Sequence, residues 1–308
     1  MPFMLIDGNS VGYAAQYATK LVVDGMEVQA IYNSLHTLKK LKAEYPDYVM
    51  LILWDGRAQF RFDALPDYKS DRDDTHHKEV NRTAYSIQAP VLRKMVGHLG
   101  FTQVVAPNFE ADDLAGYFTT KFNDKTIELI TGDKDWLQLI TPKVSWHDPR
   151  YSPGTFCNWR GFRDFTNYET TAKFLEGKAL IGDKSDNISG VGGIGPVASE
   201  GIMKNFGSVA GLLKWYKIAG PLDKKNVPQD LSRVRGKVNK FCESEDAQKI
   251  FKRNMGIMNL SNSTILEQVK SNIQIDKGKK DMKAFHDMCA ELSFLSITRN
   301  IEKWGNIT

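Results

Sequence analysis

Four short apolar runs, each leading to acidic residues, constrain this chain more than any other feature. They cover residues 3–6, 48–54, 101–105 and 126–130; the first two are continuous enough for strands buried on both faces, and the other two also read as strands. Helical spacing separates them. Ile31, Leu35, Leu38 and Leu41 share one face between residues 28 and 43, residues 87–99 read as a helix, and Leu114, Ala115, Tyr117, Phe118 and Phe122 mark another. Strands alternating with helices predict an α/β fold with a mostly parallel central sheet flanked by helices.

In such sheets ligands bind beyond the carboxyl ends of the strands. The first run ends at Asp7-Gly8-Asn9 and the second at Asp55-Gly56. The third leads through Pro107 into Glu110-Ala111-Asp112-Asp113, and the fourth into Thr131-Gly132-Asp133-Lys134-Asp135. A single Asp-Gly after a strand is an ordinary turn, and one acid at a helix start is ordinary capping. Three carboxylates within four residues exceed what capping needs, and adjacent carboxylates repel unless a cation lies between them. Residues 110 and 113 share one side of a helix while 112 points elsewhere, so they converge only on something across the helix end. The four acidic strand ends together make one acidic crater.

Between Asp55 and Ser86 the pattern breaks into Arg57, Arg61, Tyr68-Lys69, Arg72, His76-His77, Lys78 and Arg82 mixed with acids. No clean apolar face runs through it, which predicts a mobile excursion over the crater. The paired histidines lack the companions a zinc site needs. After a fifth short strand at 143–146, a helix from about 168 to 180 leads into Gly182-Asp183-Lys184-Ser185-Asp186-Asn187-Ile188. The glycine-rich stretch 190–195 follows, where Gly190, Gly192 and Gly195 permit a tight hairpin with uncovered amides, and Pro196 suits the first turn of the next helix. The Lys-Ser/Thr pair of an NTPase phosphate loop is missing, and a helix rather than a strand precedes the glycines, against a dinucleotide fold.

The 308 residues are enough for two domains, here divided as 1–174 and 175–308. Apolar runs are far shorter than the roughly 20 residues a membrane span needs, and no basic segment precedes the N-terminal one, so neither a span nor a secretory signal is expected. Cys157, Cys242 and Cys289 are widely spaced and odd in number, fitting reduced cytoplasmic thiols. The net charge is only +4, yet residues 204–253 hold twelve Lys/Arg against five Asp/Glu. An acidic crater beside a basic flank suits an enzyme that cuts a polyanion with metal ions; a solvated basic face is the plainer alternative.

In order, Asp-Gly-Asn, Asp-Gly, Glu-Ala-Asp-Asp, Thr-Gly-Asp-Lys-Asp and Gly-Asp-x-x-Asp-Asn-Ile-x-Gly-Val-x-Gly-Ile-Gly resemble the 5′-nuclease family of flap endonucleases, phage 5′-to-3′ exonucleases and the nuclease region of bacterial DNA polymerase I. The motifs span Asp7 to Ala198, and Glu291–Ser296 resembles the family's closing segment more weakly. The resemblance implies two divalent metal sites, one drawing on Asp7, Asp55, Glu110, Asp112 and Asp113, the other on Asp133, Asp135, Asp183 and Asp186. Hard oxygen ligands alone suit Mg²⁺ or Mn²⁺. Tyr68-Lys69-x-x-Arg72 resembles the family's arch motif (here about 57–86), in which Lys and Arg reach the scissile phosphate. Gly190, Val191, Gly192, Ile194 and Gly195 resemble its helix-hairpin-helix turn, which holds duplex backbone, often with a bound K⁺.

Ser189 stands where many relatives have Pro, and Val197-Ala198 where many have Lys-Thr. Lys204, Lys214 and the basic run beyond are candidates to replace the missing backbone charge. The expected protein is a monomeric, cytoplasmic, bacterial or phage-encoded nuclease acting on DNA flaps or duplex ends in replication or primer removal, with RNA–DNA hybrids left open as substrates. A non-catalytic DNA-junction-binding module of the same fold is the alternative, and none of the nine carboxylates it would dispense with is missing. A phosphatase built on Asp133-Lys134-Asp135 would need neither the hairpin nor the basic flank.

Overall fold

The computed structural model describes residues 1–70, 75–150, 155–305 and 307. Strand β1 (Phe3–Asp7) runs directly into helix α1 (Gly8–Gln16), and a small hairpin, β2 (Val22–Val23) with β3 (Met26–Glu27), precedes α2 (Gln29–Glu44). β4 (Val49–Trp54) is followed by α3 (Gln59–Ala64) and the long α4 (His76–His98), and β5 (Thr102–Val105) by α5 (Ala111–Lys121). β6 (Ile127–Ile130), a 3-10 turn at Lys134–Leu139, β7 (Val144–Asp148) and β8 (Thr155–Cys157) complete the first half. The second half is mostly helical: α6 (Phe162–Thr166), α7 (Thr171–Ile181), the short pair β9 (Gly182–Asp183) and β10 (Ile188–Ser189), then α8 (Pro196–Phe206) and α9 (Val209–Ala219). It continues through α10 (Arg235–Glu243), α11 (Glu245–Met258), α12 (Ser263–Asn272), β11 (Gln274–Asp276), α13 (Met282–Glu291) and α14 (Leu295–Thr298).

The main sheet has the order β11-β5-β4-β1-β6-β7-β8. Its five inner strands are parallel, and both edge strands pair antiparallel. Alternation along the strands divides the core in two. Leu5, Leu51, Leu53 and Leu129 face α5 and the helical second half, whereas Met4, Ile6, Met50, Ile52 and Ile130 face α2 and α4. Both faces are covered, which is why β1 and β4 read as unbroken apolar runs. From β1 the chain moves outward to β4 and β5, then returns to the other side of β1 with β6. That reversal opens a crevice at the carboxyl ends of β1 and β6.

Asp7 is the N-cap of α1, so Asp7-Gly8-Asn9 leads straight into that helix. One sequence expectation is corrected. The segment expected to be an irregular excursion holds α3 and the first turns of α4, which begins at His76 instead of near residue 87. Its apolar positions are sparse because that end of α4 is largely exposed. Shared structure crosses the division at residue 174. β11 returns to pair with β5, and Phe285, Cys289, Phe294 and Trp304 share a core with Met4 and Ile31. Among the described residues no helix is long and apolar enough to cross a membrane.

Candidate active site

The crater forms at that crevice. Asp7 caps α1 and is almost fully buried; its Oδ1 accepts from the Ser10 amide at 2.8 Å and its Oδ2 from the Thr131 hydroxyl at 2.8 Å. Asp55 accepts from the Asn9 side-chain amide at 2.6 Å and from the Ala111 backbone amide at 2.9 Å. Burial and the neighbouring Asp55 push the Asp7 carboxyl up to about 7. Glu110 is the N-cap of α5, and Asp112, in its first turn, accepts from the Trp136 indole at 2.7 Å. Burial, then Asp133 and Glu110, hold Asp112 well above the usual carboxylate range. Carboxylates that resist ionisation side by side mark a place where added positive charge is favourable.

Two lysines already supply some. Lys69 lies on the Glu110 carboxylate and 3.7 Å from Asp186, while Lys178 of α7 donates to Asp135 and, at 3.2 Å, to Asp183. Burial alone would raise Glu110, but Lys69 and Arg61 more than offset it and its carboxyl sits below the usual range. Asp183 is likewise lowered, with Lys178 and Ser185 outweighing burial. The buried Tyr68 hydroxyl stands 2.9 Å from Glu110 Oε2 and 3.0 Å from Asp186 Oδ2. Among the described residues no three acidic, His or Cys side chains are closed into a ready-made coordination cluster. The ammonium groups occupy the gaps between carboxylates.

The turn carrying Tyr68 and Lys69 is tied down rather than loose. The Lys69 amide donates to the Asp186 carbonyl at 2.9 Å, and the Asn187 side chain donates to the Asp67 carbonyl at 2.9 Å and Ser70 Oγ at 2.8 Å. Lys69 and Asn187 both adopt positive φ, 60° and 56°, so the two turns interlock by unusual backbone on each side. Arg72 lies outside the described residues.

Asp113 is the one acid the structure removes from the crater. Both of its oxygens accept from Arg61, each at 2.7 Å, and Oδ2 also accepts from the Glu110 amide at 3.0 Å. Helical geometry is the reason: residue 113 turns inward from the face that presents Asp112. The eight others, Asp7, Asp55, Glu110, Asp112, Asp133, Asp135, Asp183 and Asp186, share one crater through direct charge coupling or a common lysine.

The glycine-rich turn joins α7 to α8. A Cβ on Gly190 would come within 2.1 Å of the Ile181 carbonyl, so only glycine lets the chain pass this close. Gly192 and Gly193 both have φ of 84°, Gly195 caps α8, and Pro196 is its first residue. Val191 and Ile194 are buried in the core, which fixes the turn to the body of the protein. Lys204 is exposed and paired with Asp230 at 3.0 Å, and Lys214 is exposed on α9. Sequence reasoning missed Lys178, whose place one helical turn before Asp183 becomes visible only once the end of α7 is known. Lys237, part of the basic run but not singled out in it, has its stem 3.1 Å from where a Gly193 side chain would begin.

Comparison with known proteins agrees with this architecture. Residues 2–170 match the family model for the 5′-3′ exonuclease, N-terminal resolvase-like domain. A 5′-3′ exonuclease of Aquifex aeolicus is 30% identical over 220 residues, covering 69% of this chain and 73% of that protein. The thermostable DNA polymerase I of Thermus filiformis is 30% identical over 246 residues, covering 75% of this chain but only 28% of the polymerase. The chain therefore spans little more than a quarter of the length of such polymerases. A bacteriophage T5 flap endonuclease, solved as a pseudo-enzyme–product complex with DNA and metal ions, shares the fold. Its TM-score is 0.67 at 20% identity, over 95% of this chain and 100% of that one. By the family match over more than half its length and the Aquifex relative, the chain belongs to the 5′-3′ exonuclease family.

Proposed function

We propose that this chain is a divalent-metal-dependent, structure-specific 5′-nuclease that hydrolyses phosphodiester bonds near 5′ ends or flaps of DNA, in replication or primer removal. The observation that carries the proposal is the crater: eight carboxylates from separate chain segments gathered around two lysines at the carboxyl ends of a parallel sheet. Its all-oxygen donor set, with ammonium groups standing between the acids, fits hard divalent cations such as Mg²⁺ or Mn²⁺. Asp7, Asp55, Glu110 and Asp112 would hold one ion, and Asp133, Asp135, Asp183 and Asp186 the other. When bound, such a pair supplies an activated water and charge stabilisation for the leaving oxygen.

The chain's own groups do the rest. Thr131, Ser10 and Asn9 hold the Asp7 and Asp55 carboxylates in fixed rotamers by the hydrogen bonds described. Lys69 is placed to meet the scissile phosphate as negative charge grows on it. Tyr68 orients Glu110 and Asp186, and Arg72 belongs to the same motif. The turn at Gly190, Val191, Gly192, Ile194 and Gly195 is read as a helix-hairpin-helix element that grips duplex backbone through exposed amides, with K⁺ as its natural companion ion. Lys204 and Lys214 extend that grip. The T5 neighbour was solved with DNA and metal ions, which supports the reading.

The test is a 5′-flapped duplex labelled at either end, incubated with Mg²⁺ and then with EDTA. Cleavage near the flap base or from the 5′ end, abolished by EDTA, is expected. Binding of the junction without cleavage under any divalent ion would instead identify a non-catalytic junction-binding module.

A further inference from the structure

Arg61 is buried in the middle of the molecule, with its side chain 4% exposed beside an Asp113 side chain at 1%. Its two terminal nitrogens grip both Asp113 oxygens at 2.7 Å, and its Nε donates to the Ile257 carbonyl of α11 at 2.9 Å. The same guanidinium lies 3.3 Å from Glu110 Oε2 and stacks 4.6 Å from the Phe60 ring. One side chain therefore joins α3, the start of α5 and the end of α11. Only three residues separate α3 from Tyr68, and the Leu65 and Tyr68 amides continue the chain of turns, donating to the Arg61 and Leu65 carbonyls. Arg61 thus stands at the start of the run of turns that carries Tyr68 and Lys69 to Glu110.

We propose that Arg61 is a positioning residue. With Asp113 as its buried counter-ion, it bolts the base of the arch segment to the start of α5 and so holds Tyr68 and Lys69 on Glu110, while Asp113 carries no metal. The inference rests on the nuclease reading for its kinetic part only. Planar, two-point pairing is what a guanidinium does and an ammonium does not, so Arg61→Lys keeps the charge and loses the alignment.

The test is a double-mutant cycle on turnover at saturating DNA and Mg²⁺, using Arg61→Lys, Lys69→Ala and both together. If Arg61 acts through Lys69, Arg61→Lys lowers kcat by about 10²-fold with little change in KM, as for a catalytic group misplaced by about an ångström. It then costs nothing further once Lys69 is absent. Losses that simply multiply would overturn the proposal. Asp113→Asn is compared with Asp112→Asn by calorimetric titration of Mg²⁺ into the metal-free protein. An unchanged number of ions for Asp113→Asn is expected, and loss of an ion on that substitution would make Asp113 a ligand and refute the assignment. Should Arg61→Lys not fold, Arg61→Gln with Asp113→Asn, neutral on both sides, runs the same cycle. If the wild type cuts nothing, the nuclease reading fails alone, because urea midpoints of Arg61→Gln, Asp113→Asn and the pair still report whether the two residues are coupled.

Discussion

The hydroxyl of Tyr68 stands 3.0 Å from Asp186 Oδ2, across a sequence separation of 118 residues. That contact joins the arch segment to the acidic turn beyond α7, so each half of the chain completes the crater of the other. The same oxygen reaches Glu110 at 2.9 Å. Tyr68→Phe leaves both carboxylates short of a donor inside the protein, a loss of about 2 kcal/mol, or roughly 30-fold in rate if the alignment matters in the transition state. Single-turnover rates at saturating DNA and Mg²⁺ measure it. An unchanged rate would show that the ring alone, packed against Phe62, is what the site requires.

Lys178 holds the place of a cation between Asp135 and Asp183. An ammonium there competes with a divalent ion for the same oxygens, by several kcal/mol at the effective dielectric of a partly exposed site. Lys178→Met should therefore tighten Mg²⁺ binding, by about tenfold after relaxation of the carboxylates. Calorimetric titration into the DNA-free protein reads this without any cutting. Weaker Mg²⁺ binding in the variant would mean that the lysine organises the acids for the ion.

Much of this arrangement was legible in the sequence because the parallel strands are buried on both faces. Unbroken apolar runs announced β1 and β4, while β5 and β6 were read as strands despite Gln103 and Glu128 in their interiors, and the acids follow the strand ends. The first half of α4 was not legible, since Val80 and Ile87 are exposed and give it no core-facing stripe. β11 was hidden for a similar reason: Gln274-Ile275-Asp276 has a single apolar residue, and only pairing with β5 makes it a strand. Asp113 looked like its neighbour Asp112 because sequence spacing says which face a residue shares but not where its counter-ion lies. Arg61, 52 residues earlier, supplied that information only in three dimensions.

The basic residues should separate by what they change. On the proposed nuclease reading, in which Lys69 meets the scissile phosphate, Lys69→Ala is expected to lower kcat by roughly 10²–10³-fold with little effect on affinity. Lys214→Ala should weaken DNA binding on every sequence and reduce the salt slope by about one. Lys204→Ala should reduce it by less, because Asp230 already takes part of that charge. Plots of log Kd against log salt, measured with metal omitted, give both slopes. A larger slope change for Lys204 than for Lys214 would mean that DNA breaks the pair with Asp230.

Stability should depend on pH through a carboxyl far from the crater. Glu128 on β6 is 5% exposed, within electrostatic reach of Tyr45 and Tyr48 and beside Ser145 of β7, and its Oε1 has no hydrogen-bond partner among the described residues. Burial raises it from 4.5 to about 7. Below pH 4.5 the folded and unfolded chains both hold this proton, so pH has no leverage through it. Between 4.5 and about 7 the unfolded chain releases the proton while the folded one keeps it, and stability falls; above about 7 the full penalty persists. Its size is on the order of 3 kcal/mol. Glu128→Gln removes the titration and keeps the shape, so its advantage in urea midpoint over the wild type should grow from pH 4.5 to pH 8, at roughly constant m. A constant difference across that range would mean that water reaches the carboxylate and that Glu128 ionises in the folded protein as it does in the unfolded one.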